Sequence, residues 1–398
     1  MPKKPSSFDG PGLLIAAAFI GPGTVTVCTL AGATHGLQLL WAVLLSTGMT
    51  FLFQDMSARL GIVTRLDLTS LLKKELSNPI LKILVIATVL SAVVIGNGAY
   101  EAGNISGGAL GLEVLLPDVG FRISPILIGL IAFGLLWSGN YSLLEKSLTL
   151  LVGLMSLAFL LTAILTRPDL SALFQGLLLP SFPEGSWLLI LGVIGTTLVP
   201  YNLFLHASLA RTKWPGTAQL PQARKNTLLS IAIGGLISMA IVISSASLEG
   251  QNITDALSLA GGLEPVFGTG AKYLIAIGLF AAGITSAITA PLAAAYVVAG
   301  LTQREASPQS WPFRATWMSI LLLGVIFSSL GFQPIEIIRF AQVANGLLLP
   351  IAAALILWLS SSHRLLGHHR NGAIQNSIAA LFLLLLVLLS LKAFGVLG

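Results

Sequence analysis

Two stretches of this 398-residue chain set helix-breaking residues beside hydroxyl groups inside otherwise apolar runs. They read Ile20-Gly21-Pro22-Gly23-Thr24 and Gly195-Thr196-Thr197-Leu198-Val199-Pro200-Tyr201-Asn202. Proline removes a backbone donor, and glycine admits angles that a helix does not use. In lipid, freed amides and carbonyls must find partners, so unwound backbone occurs only where it is buried or lines a cavity. Interrupted hydrophobic segments at corresponding positions point to a transporter's midplane site. Such a site uses half-helix termini, backbone carbonyls and nearby hydroxyls, here those of Thr24, Thr26, Thr196 and Thr197. The plainer reading, two unrelated proline kinks, explains either break alone but not the matched pair.

A second constellation is Asn97, Glu101 and Asn104, spaced i, i+4, i+7 and so on one helical face. An ionisable residue with amide neighbours inside a span is a candidate for ion or proton coupling. The competing reading puts Glu101 at the outer interface, where a charge costs little. His206 lies within an apolar run, and His363, His368 and His369 share a loop with Arg364 and Arg370. The loop histidines read as part of a solvated basic segment, and His206 as structural or gating. Neither a His-Glu-x-x-His nor a Gly-x-Ser-x-Gly arrangement occurs, so intramembrane catalysis is not expected. Cys28 is the single cysteine, which excludes a disulfide framework and a multi-cysteine metal site. No cofactor is implied.

The elements that position these residues are membrane helices. The chain is 55% hydrophobic and 9% charged, against about 25% charged in a soluble domain. That excludes an ordinary globular enzyme, a disordered regulator and a nucleic-acid binder. Apolar runs of the length that crosses a ~30 Å hydrocarbon core give eleven candidate spans. They fall near 11–34, 38–58, 80–104, 123–139, 146–166, 186–209, 227–248, 270–299, 313–331, 335–359 and 373–395. The first run does not read as a cleavable signal, and no soluble domain is expected at either end. With the N-terminus inside, 16 of the 21 Lys and Arg residues fall on the cytoplasmic side. The positive-inside tendency therefore places the N-terminus in the cytoplasm and the C-terminus outside. The net charge of +6 reflects these loops. The partners expected are the lipid bilayer and a small inorganic ion or small-molecule substrate, in a bacterial plasma membrane.

The run Phe53-Gln54-Asp55-Met56-Ser57-Ala58-Arg59-Leu60-Gly61-Ile62-Val63-Thr64 resembles the end of the second helix of the NRAMP divalent-metal transporters. Pro200-Tyr201-Asn202-Leu203-Phe204-Leu205-His206-Ala207-Ser208 is similar to that family's sixth-helix signature. Leu279 to Gly300, with Ala281-Ala282-Gly283 and Tyr296-Val297-Val298, resembles its eighth helix, and Ala341-Gln342-Val343 its tenth. The resemblance covers nearly the whole chain. It implies an all-α polytopic membrane protein of leucine-transporter type, a single transporter domain over residues 1–398. Two inverted five-helix repeats, about 11–166 and 186–359, would be followed by an eleventh helix at about 373–395. Helices one and six would be broken, with the site between them.

The departures alter the chemistry. The family's first helix carries Asp-Pro-Gly-Asn, and the same frame here reads Gly21-Pro22-Gly23-Thr24. Val199 stands where the resemblance expects a methionine, and Tyr201 where it expects a histidine. The third-helix frame Ala87-Thr88-Val89-Leu90-Ser91-Ala92 holds neither acid of the expected proton route. A thioether favours soft transition metals, whereas oxygen donors suit magnesium, calcium and manganese. The expected cargo is thus a hard divalent cation such as magnesium or manganese, carried by alternating access. Expected substrate-binding residues are Gly21, Gly23, Thr24, Thr196, Thr197, Val199, Tyr201, Gln342 and Asn345, with Thr24, Thr196 and Gln342 as metal ligands. Without an aspartate, the ion would keep part of its water shell and bind weakly. A neutral broken-helix site also suits a small carboxylate or zwitterion at the half-helix N-termini. A sensor or receptor without transport is the third reading.

Overall fold

The computed structural model describes residues 20–120, 122–139, 142–302, 308–393 and 395. Apart from Ile20 to Thr34, the first expected span lies outside them. The helices that follow the expected spans are α1 (Pro22–His35), α2 (Leu40–Thr64), α3 (Pro79–Leu115), α4 (Ser124–Ser138) and α5 (Ser142–Leu165). The sixth is split into α6a (Trp187–Thr197) and α6b (Pro200–Lys213). Then come α7 (Leu220–Ser245), α8 (Ala271–Thr302), α9 (Trp311–Ser328), α10 (Pro334–Ser361) and α11 (Ala373–Ala393). Eight helical stretches are long and apolar enough to cross a membrane among the described residues. α2 has the length, at 25 residues, but carries Gln54, Asp55 and Arg59; α4 has only 15 residues. Large apolar side chains such as Ile83, Ile95, Leu130, Leu150, Ile164 and Leu381 cover the outside, a surface that only lipid can solvate well.

α3 differs most from its expected bounds. It runs to Leu115, eleven residues past the expected end at 104, because nothing in Ile105–Leu115 stops a helix before Pro117. Asn78 starts it by accepting from the amides of Ile80 and Leu81. The glycines that make this stretch a poor isolated helix serve its packing. Gly107 leaves no room for a Cβ against Pro22 of α1, and Gly111 none against the Ala276 carbonyl of α8. Gly108 and Gly283 bring α3 and α8 into backbone contact in the same way. α3 packs extensively on α8, α9 and α10, whereas α6b packs mainly on α2 and α6a on α10.

A short helix, Leu68–Glu75, follows α2 and ties it to the end of α6b. Asp67 caps it, accepting from the Ser70 amide at 2.8 Å and from the hydroxyls of Thr69 and Ser70. Arg211 of α6b lies 3.6 Å from the same carboxylate. Burial pushes the Asp67 carboxyl up, but these hydrogen bonds and Arg211 outweigh it and hold the carboxyl below its ordinary range. A depressed folded-state value means stabilisation that is complete above the unfolded value near 3.9 and fades as pH falls through the folded one. Asp67→Asn, which keeps a capping oxygen but loses the charge facing Arg211, should therefore cost about 0.3–1 kcal/mol at neutral pH. Thermal unfolding in detergent should show the gap between variant and parent closing as pH drops below about 4.

Candidate functional site between the broken helices

Both breaks are set by proline chemistry. Gly21 is extended (φ −90°, ψ 177°) and Pro22 opens α1. In α6 the extended residue is Val199 (φ −87°, ψ 129°), followed by Pro200 at the start of α6b. Proline suits the first helical position, where no amide is needed, and forces the residue before it out of the α region. In α6 the break is shorter than the sequence implied: Thr197 still belongs to α6a, so only Leu198 and Val199 are unwound there, and in the first span Pro22, Gly23 and Thr24 are helical. Two helix N-termini, positive dipole ends, thus face one C-terminus whose Thr196 carbonyl finds no N–H on Pro200.

Thr24 and Thr196 join the two helices, hydroxyl to hydroxyl at 2.9 Å. Thr197, expected to line the site, donates back to the carbonyls of Val193 (3.1 Å) and Ile194 (3.0 Å) of its own helix. Gln342 of α10 lies directly over Gly23, where any Cβ would collide with its amide. Gly195 is equally closed by the Gln342 carbonyl, so α1, α6a and α10 converge on this residue. Gln342 and Asn345 are 1% and 2% exposed, yet Gln342 Oε1 and Asn345 Nδ2 have no partner. Asn202 Oδ1, in the first turn of α6b, is a third buried orphan, and Thr26 Oγ1 of α1 a fourth. Buried polar atoms are normally paired, so a cluster of orphans at a double helix break marks a place where a ligand completes the set. Asn202 did not stand out in the sequence, although its position two residues after the helix-breaking proline was the available signal.

The set is neutral. Among the described residues no group of three or more His, Cys, Asp or Glu side chains could hold a metal. His363, His368 and His369 form none, although the rings of His368 and His369 lie 3.9 Å apart. The oxygens of Asn202, Gln342, Thr24 and Thr196 fit a hard cation that retains water, and Val199 supplies no sulfur.

Glu101 is fully enclosed by protein, and its Cγ faces Gly324 of α9. Asn104 Nδ2 donates to Glu101 Oε2 at 3.1 Å, while Oε1 has no partner. Asn97 donates to the Ala290 carbonyl of α8 at 3.3 Å. The three residues share a face, as expected, but it faces α8 and α9. Ser286 of α8, buried with an unpartnered Oγ, went unnoticed in the sequence. The frame Ala87–Ala92 does not meet the site at all. Ala87, Thr88 and Ser91 are exposed, and Val89, the one buried residue of the frame, packs into the apolar core. On α6b, the His206 ring nitrogen Nδ1 pairs with Gln54 Oε1 of α2 at 2.5 Å, and Nε2 is unpartnered. Gln54 was a further residue that sequence spacing did not mark.

Residues 12–394 match the family model described as Natural resistance-associated macrophage protein-like. The chain belongs to the Nramp family. Relatives named divalent metal cation transporter MntH, from Verminephrobacter eiseniae and Acidiphilium cryptum, are each 29% identical to it. The matches cover 98% and 99% of this chain and 90% and 92% of theirs. A crystal structure of the Eremococcus coleocola manganese transporter with an aromatic bis-isothiourea compound superposes with a TM-score of 0.78 at 20% identity. It covers 99% of this chain and 88% of that one. MhsT in complex with L-phenylalanine gives 0.64 at 14% identity, covering 96% and 98% of the two chains. This Nramp-family chain therefore has the leucine-transporter-type fold, two inverted five-helix repeats with an eleventh helix, and helices one and six broken.

Proposed function

We propose that this Nramp-family chain carries a hard divalent cation, magnesium or manganese, across the plasma membrane by alternating access, and that soft transition metals are poor cargo. The observation behind the reading is the group of buried, unpartnered polar atoms at the double break, with no thioether and no carboxylate among them. Gln342, Asn202, Thr24 and Thr196 would supply oxygens, with the free carbonyls of α6a, to an ion keeping part of its shell. Magnesium tolerates that arrangement because it gives up water reluctantly. Relatives named as divalent metal cation transporters support a cation as cargo. The charge asymmetry supports an N-terminus inside and a C-terminus outside. Repeat one would span about 11–166, repeat two about 186–359.

A small carboxylate or zwitterion is the second reading. The unpartnered Asn345 Nδ2 and the two facing helix N-termini favour it. Uptake into proteoliposomes separates the two. Magnesium and manganese should accumulate and small carboxylates should neither enter nor compete. Carboxylate uptake without cation uptake would reverse the assignment, and absence of flux with retained binding would favour a sensor.

A further inference from the structure

Immediately past the break, Tyr201 of α6b meets Tyr100 of α3 edge to face, with ring centroids 5.4 Å apart at 60°. Both side chains are fully buried. Val199, Leu205, Ala290 and Ala293 complete an apolar cluster separate from the main core, with Leu209 and Tyr296 packed against it. Along α6b and α8 this cluster extends from the break towards the helix ends at Lys213 and Thr302. The polar residues of the break and the apolar cluster therefore adjoin at Val199.

The two rings belong to differently anchored helices. α3 is held by α8, α9 and α10. α6b is fastened to α2 along its length. Ser57 donates to the Leu203 carbonyl, Gln54 pairs with His206, and Arg65 donates to the Trp214 carbonyl at 2.8 Å. A hydrated ion moving along α6b would meet an apolar constriction with nothing to replace its lost water.

We propose that the Tyr100–Tyr201 pair is the closure on the α6b side of the central site, and that the rings must part before cargo leaves in that direction. The proposal rests on the transport reading and on the N-terminus-inside orientation, which makes this the cytoplasmic side. It assigns Tyr201 a gating rather than a ligating role.

The test uses Ala293→Cys as a reporter in a Cys28→Ser background, since Cys28 is the only other thiol. Inside-out vesicles are treated with a membrane-impermeant thiol reagent. Labelling should be slow in the parent and at least about tenfold faster with either Tyr201→Ala or Tyr100→Ala. Tyr201→Phe, which keeps the ring, should label close to the parent rate. Unchanged labelling in a monodisperse alanine variant would overturn the closure, as would equal labelling of the phenylalanine and alanine variants. If one alanine variant fails to fold, the other carries the test from the opposite helix. The readout involves no cargo. Faster labelling with no manganese or magnesium flux would keep the closure and remove the cargo assignment instead.

Discussion

Glu101→Gln is expected to flatten the pH dependence of uptake while leaving downhill flux largely intact. Glu101 is the one acid of α3 enclosed by neighbouring helices, and its Oε1 is unpartnered beside Asn104. A carboxyl group there can exchange a proton, whereas glutamine cannot. Glutamine preserves shape and still accepts from Asn104, so the variant should fold, with a cost of about 1–3 kcal/mol for leaving one more buried donor unpaired. Its Cγ packs on Gly324 of α9 and its carboxylate pairs with Asn104 of its own helix, so cargo binding should change little. Measuring cation uptake between pH 5.5 and 7.5, set as experimental limits around the histidine range, checks this. Substrate-linked acidification that persists in the variant would remove Glu101 from coupling and turn attention to His206 and Gln342.

Val199→Met should raise cadmium affinity by roughly tenfold or more, equivalent to about 1.4 kcal/mol. Val199 is buried and extended at the break, between the Thr196–Thr197 end of α6a and Pro200. A methionine there places a soft sulfur at the edge of an otherwise oxygen-lined site. The larger side chain also crowds the tyrosine cluster, so a stability loss of about 1–3 kcal/mol should accompany the gain. Cadmium titration of variant and parent in detergent measures the first effect. Tight cadmium binding by the unaltered protein would show that softness does not decide selectivity here.

The sequence was most legible where one residue type has one physical consequence. Pro22 and Pro200 each open a helix, and Pro200 fixed the α6 break to within three residues, because a ring without an N–H can only begin a helix cleanly. The apolar runs located the spans for the same reason. Legibility failed where meaning depends on neighbours. The third span was placed near 80–104, yet the glycines beyond it continue the helix and are contact points for α1 and α8. Periodicity placed Asn97, Glu101 and Asn104 on one face, but only packing shows that the face meets α8 and α9. Thr197 and Asn202 illustrate the limit from both sides. The first, a hydroxyl beside the break, is turned back on its own helix, while the second, unremarked, carries an unpartnered oxygen.

The central claim is that a hard cation sits between the broken helices on a neutral set of oxygens. Anomalous diffraction from crystals soaked in manganese tests it most directly. The account predicts a single manganese peak enclosed by Thr24, Thr196, Asn202 and Gln342, which disappears on competition with excess magnesium. A peak beside Glu101 or in the His363–Arg370 loop, with none between the breaks, would contradict it.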